Sequence, residues 1–110
     1  MQLHYDINKN QLLVLLDGEI DHHSSNQIRT EIDTAIYAHM PRTLIFDFQN
    51  VTFMDSSGIG LIMGRHKILR NLDSEIIIKQ PSPQIARILR LSSMDRLAEI
   101  QINYPEEVIS

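Results

Sequence analysis

The sequence predicts a small α/β fold on a mixed β-sheet, and three observations carry that prediction. Two apolar runs near the N-terminus flank a short turn with no room for a helix between them. Downstream, apolar runs at 43–48 and 75–79 enclose a longer segment whose apolar residues recur at helical spacing. A strand–helix–strand crossover of that kind sets its two strands parallel, almost always with a right-handed connection, whereas a tight hairpin is antiparallel. Finally, 110 residues suit one compact domain with a modest core, expected to span 1–110.

Taken in order, "QLHYDI" (2–7) and "QLLVLLDG" (11–18) are the hairpin strands, joined at "NKN" (8–10). After "GEIDHH" (18–23), Ser24 or Ser25 is the expected cap of a helix. Its buried face carries Ile28, Ile32, Ala35 and Ile36, and Pro41 marks its end. "TLIFDF" (43–48) is the third strand, 57–72 the second helix and "EIIIK" (75–79) the fourth strand. "QPSPQIARILRL" (80–91) restarts a helix: Ser82 caps it, Pro83 suits its first position, and Ile85, Ile88 and Leu89 form the apolar stripe. "LAEIQI" (97–102) reads as a last short strand and "PEEVI" (105–109) as a final helical turn. No internal repeat, low-complexity stretch or domain linker interrupts this order.

Composition narrows the function. The net charge is −4 and the basic residues are scattered, which argues against nucleic acid, because a phosphate-backbone binder needs a positive face. Without cysteine there is no disulfide and no thiolate metal site. No apolar stretch approaches the roughly 20 residues of a membrane-spanning helix, and "MQLHYDINKN" lacks the regions of a signal peptide. The expected location is the cytoplasm, away from the membrane.

The chemistry concentrates in "FMDSSGIGLIMGRHK" (53–67). On a wheel turning about 100° per residue, Ile59, Leu61, Ile62, Met63, His66, Ile68, Leu69 and Leu72 cover a wide apolar arc. Gly60, Gly64, Lys67 and Asn71 share the narrow remainder, expected to meet solvent. Glycine in an exposed helix interior costs about 0.8–1.0 kcal/mol relative to alanine. Two glycines on one outward strip therefore suggest close backbone approach by another molecule. One turn back, Ser56 falls on that strip, while Ser57 is rotated about 100° away from it. The plainer reading is that Ser56 or Ser57 caps the helix and the glycines ease packing; the shared strip weighs against it.

Three kinds of site fit poorly. A serine hydrolase needs a base and an oxyanion hole, and the elbow pattern G-x-S-x-G is absent, since Met54 and Asp55 precede Ser56. "GIGLIMG" approaches the dinucleotide fingerprint, but "QNVTFMDSS" separates it from the expected strand, and the next strand ends in Lys79 rather than an acid. The adjacent His22 and His23, with His4 or His66, lack the i, i+4 spacing of a helical metal site, and His66 on the apolar arc reads as a core histidine. No catalysis, cofactor or metal is expected. What remains is a surface hydroxyl at a helix N-terminus, where free N–H groups and the helix dipole can hold an added phosphate without unfolding anything.

"GEIDHH" followed some 30 residues later by "FMDSSGIGLIMGRHK" resembles the anti-sigma factor antagonists of the STAS superfamily, of the type that controls the sporulation sigma factor F. The resemblance implies the STAS fold: four to five strands in a small mixed sheet, with about four helices mainly on one face. It implies a regulator that is not an enzyme. Unmodified members bind an anti-sigma factor that is also a serine kinase; phosphorylation breaks that complex and a serine phosphatase restores it. The family's phosphorylated serine is the first of D-S-S-G, which matches Ser56. Asp21 carries over to the partner-contact surface and Gly60 to a close approach by the partner's backbone. Asp55, Ser57, Gly58, Gly64 and Lys67 complete the implied contact set. Its rival role is a STAS interaction module of another phospho-regulated complex, stress-related or stressosome-like. One stretch departs from the family: "LRLSSMDRLAEI" (89–100) replaces a glycine-containing F-x-x-S-G-L.

Overall fold

The computed structural model describes residues 1–102. In chain order it contains β1 (Gln2–Asp6), β2 (Gln11–Ile20), α1 (His22–His39), β3 (Thr43–Met54), α2 (Ser56–Arg70), β4 (Glu75–Lys79) and α3 (Pro83–Leu91). A 3-10 turn (Met94–Arg96) and β5 (Glu99–Gln101) complete the order. The five strands lie side by side in chain order; β1 pairs antiparallel with β2, and every later neighbour is parallel. Each parallel step moves the same way across the sheet, so right-handed crossovers set α1, α2 and α3 on one face. Among the described residues there are three α-helices rather than about four. The helical turn expected at 105–109 lies outside them.

Strand alternation divides the sheet. Leu12, Val14 and Leu16 of β2, Leu44, Phe46 and Phe48 of β3, and Ile76 and Ile78 of β4 are buried beneath the helices. Ile32 and Ile36 of α1, Leu61, Ile62 and Leu69 of α2, and Ile85 and Leu89 of α3 close the core from above. Phe46 and Phe48 meet edge to face at 6.5 Å. Each such side chain contributes about 1.5–3 kcal/mol on leaving water, so the layered core holds the strand ends, and the helix starts beyond them, in fixed register.

The helix N-termini that follow β2 and β3 are both capped by an aspartate. Asp21, not Ser24 or Ser25, caps α1, and Asp55, not a serine, caps α2. A carboxylate one residue before the first turn reaches the free N–H groups and adds charge of the sign the dipole favours. The third helix starts as expected, with Ser82 accepting from the Ile85 N–H and Pro83 in the first turn.

β3 runs to Met54, six residues past its expected end, because β2 runs on to Ile20 beside it. The pairing slips between Leu15 and Asp17 and again between Gly18 and Glu19. Gly18 has φ +71°, a left-handed conformation that glycine adopts without steric cost, and the bulge re-aims the strand end. The strand therefore reaches the helix directly, and "QNVTFM" is sheet rather than an intervening loop. The dinucleotide pattern still fails, since its first glycine, Gly58, lies inside the first turn of α2 rather than in a turn before it. Within 89–100, Ser93 adopts φ +60°, a left-handed conformation that glycine takes up more easily.

Candidate functional site

β2 and β3 end in register, Ile20 opposite Met54, and the Asp55 N–H donates to the Ile20 carbonyl at 3.2 Å. The chain leaves both strands for a helix at the next residues, so the N-termini of α1 and α2 lie side by side at the carboxyl edge of the sheet. Open α/β sheets present their ligand sites at that edge. Asp21 and Asp55 are thus equivalent residues of adjacent loops.

Asp21 Oδ1 accepts from the His23 and Ser24 N–H groups, each at 2.9 Å. Ser24 Oγ accepts from the Asp21 N–H at 3.1 Å, closing a capping box, and donates to the Glu19 carbonyl at 3.0 Å. The Ser24 N–H above all holds the Asp21 carboxyl below its ordinary range; burial, the next largest influence, opposes it, and the His23 N–H and the Ser24 hydroxyl add to the lowering. Asp55 Oδ1 accepts from the Ser57 N–H at 2.8 Å.

Ser56 is the first residue of α2 and is exposed; Ser57 is half-buried. Gly60 and Lys67 are exposed and Gly64 half-buried, and a Cβ on either glycine would meet no atom within 4 Å. Gly58 parts from this set. It is buried, and a Cβ there would collide with Met54 and come within 3.5 Å of Ile20. Its lack of a side chain serves the packing of α2 on the strand ends, which takes it off the accessible contact surface.

The glycine strip is not a plain solvent face. It forms one wall of a hollow of about 320 Å³ between α1 and α2, lined by Ser25 and Arg29 on one side and Ser57, Gly60, Gly64 and Arg65 on the other. A second hollow, of about 260 Å³, continues between the helices beside Tyr37, Lys67 and Asn71. Ser56 does not line the first hollow; its neighbour does. Met63, placed by the wheel on the buried arc, is 42% exposed, and His66 is half-buried.

Arg65 is the residue that sequence reasoning missed. Only 6% exposed, it points between the helices, its Nε 2.7 Å from Asp33 Oδ1 and its Nη1 donating to the Leu61 carbonyl at 3.2 Å. The carboxylate sits off the N–H axis, so this contact is an ion pair rather than an aligned hydrogen bond. Burial lowers the Arg65 pKa, Asp33 opposes that shift, and the charge of Arg29 adds to it. The signal was available: Arg65 follows Leu61 at i+4 on the apolar arc, and Asp33 adjoins the buried Ile32.

The chain matches the STAS domain over residues 2–106. It is 32% identical over 103 residues to an anti-sigma F factor antagonist of Paenibacillus polymyxa, covering 94% of this chain and 88% of that protein. Its structure is similar to that of the anti-sigma factor antagonist SpoIIAA in unphosphorylated form, with TM-score 0.80, 34% identity, and 98% and 91% of the two chains covered. It is also similar to the Bacillus cell fate determinant SpoIIAA in phosphorylated form, with TM-score 0.73, 34% identity, and 98% and 95% covered. The chain belongs to the STAS domain family, and within it resembles the anti-sigma F factor antagonists.

Proposed function

We propose that this chain is an anti-sigma factor antagonist, a single-domain cytoplasmic regulator without catalysis of its own. Unmodified, it binds an anti-sigma factor with serine kinase activity and so frees the sigma factor. Phosphate on Ser56 dissolves the complex, and a serine phosphatase restores it. The observation that carries this reading is the exposed Ser56 hydroxyl at the start of a helix already capped by Asp55. Because the cap is supplied by its neighbour, Ser56 is not needed to hold the helix and is open to modification. Ser56, Ser57, Gly60, Gly64 and Lys67, with Asp21 and Asp55 at the rim, form the contact surface.

Charge alone is enough for the switch. A phosphate of about −2, some 6 Å from a partner carboxylate, repels it by about 1.4 kcal/mol in water and about 5.5 kcal/mol at an effective dielectric of 20. That range corresponds to roughly tenfold to ten-thousandfold in affinity.

The test is incubation with the anti-sigma factor kinase and ATP, then mass spectrometric mapping of the phosphate. Wild type is expected to gain one phosphate on Ser56, and Ser56→Ala to bind the kinase but gain none; full modification of Ser56→Ala, at Ser57 for instance, overturns the assignment. A pull-down that returns scaffold proteins instead of a sigma-factor kinase would move the chain to another STAS signalling complex.

A further inference from the structure

We propose that the hollow between α1 and α2 receives a carboxylate from an acidic helical segment of the protein partner, held by Arg29. The proposal deepens the partner-binding reading and rests on it. Two guanidinium groups, Arg29 and Arg65, line this one hollow, close enough for the charge of Arg29 to act on Arg65. Asp33 is the carboxylate that answers them, and it is committed to Arg65 at 2.7 Å. Arg29 is exposed on α1, with no hydrogen bond or ion pair among the described residues. A cation in excess therefore faces a concave surface of a chain whose net charge is −4.

Shape agrees with charge. At about 320 Å³ the hollow is far larger than a single carboxylate-bearing side chain requires, and the open space over Gly60 and Gly64 lets the backbone carrying that side chain approach. The two glycines lie one helical turn apart, a spacing at which a helix can rest against α2. Lys67, at the second hollow, extends the positive edge in the same direction. An arginine fork holds a carboxylate through two parallel N–H donors, which fixes orientation as well as charge. The position also accounts for the switch: Ser57 lines the hollow, so a phosphate on Ser56 brings like charge to the mouth of a site that holds an anion.

The experiment is a titration of the isotopically labelled full chain, monitored by amide and arginine side-chain NMR. The probe is a capped alanine-based helical peptide with glutamates at four-residue spacing; its lysine counterpart and inorganic phosphate serve as controls. The glutamate peptide is expected to shift Gly60, Gly64 and the Arg29 side chain, more weakly as salt is raised. Arg29→Glu should weaken that binding by about tenfold or more, and Arg29→Lys should weaken it less, because the charge stays while the two-donor fork is lost. No shift at millimolar peptide, equal shifts in Arg29→Glu, or the same shifts from inorganic phosphate would each overturn the proposal. Kinase binding is scored separately. A wild type that binds the kinase while Arg29→Glu binds it equally well removes this hollow alone, whereas a wild type that binds no kinase removes the anti-sigma reading and leaves the peptide result to decide this one.

Discussion

Gly58 and Gly60 stand two residues apart and do opposite things. About 200° of helical rotation separates them, which turns one into the strand ends and the other toward the hollow. A methyl group at Gly58 must displace Met54, itself 3% exposed, so Gly58→Ala should cost about 1–3 kcal/mol of stability by overpacking. At Gly60 the same methyl enters open space, and Gly60→Ala should stabilise by up to about 1 kcal/mol through helix propensity while weakening partner binding. Urea denaturation of both variants, beside kinase binding, checks the contrast; equal stabilities would refute it. The cap at Asp21 gives a pH dependence. Its folded pKa lies below the ordinary 3.8, so its contribution is complete above that value and is lost as pH falls through the folded pKa. Asp21→Ala should therefore melt lower than wild type at pH 7, with the gap closing as the pH drops below 3.8; a constant gap would mean that the carboxylate charge is irrelevant. At this scale the sequence was informative about Ser56 and the outward glycines. It could not separate Asp21 and Asp55 from the serines as caps, since aspartate and serine are equally good N-cap residues and here stand within a few positions of one another.

Pairs of elements carry what single-residue patterns hide. β3 lost its alternation after Phe48, because past the register slips it tracks the bulged end of β2 rather than a regular ladder, and period-two reading stops where the bulge begins. The ion pair between α1 and α2 was only half legible: Arg65 follows the buried Leu61 at i+4, but its pairing with Asp33 exists only once the two helices lie side by side. Asp33→Ala would leave the Arg65 guanidinium buried without its counter-ion, which is costly. Since Asp33 is itself partly exposed, the expected loss is about 1–3 kcal/mol, short of a fully buried pair. Arg65→Met in the same background should recover part of it, and additive losses in that double variant would show that the two side chains do not interact. Beyond α3, Ser93 holds a left-handed turn at φ +60° that glycine adopts more easily. Ser93→Gly is expected to raise stability by up to about 1 kcal/mol, and a lower melting temperature would mean that the serine side chain contributes more than the strain costs.

For the whole molecule, the question is whether phosphate reshapes the fold or only its surface. The core is anchored on Phe46, Phe48, Leu44 and Ile78, all essentially without solvent contact, whereas Ser56 is exposed at the first position of α2, beyond the carboxyl end of β3. This layered plan was legible from the order of apolar runs, because a sequential parallel sheet leaves few alternatives. An acidic group at the first position of α2 is favoured by the free N–H groups and the dipole, by about 0.3–1 kcal/mol. The nearby Asp55 and Asp21 carboxylates oppose it at comparable magnitude, so the two effects nearly cancel. Ser56→Asp and the phosphorylated protein should therefore unfold within about 0.5 kcal/mol of wild type, the usual range for a surface change. Both should lose kinase affinity by about tenfold or more, through the charge at the hollow. Their amide spectra should differ from wild type only near residues 20–25 and 53–64. Shifts spreading to Phe46 or Ile78, or a stability loss above about 1 kcal/mol, would mean that the modification acts by rearranging the core, and the surface-charge account of the switch would fall with it.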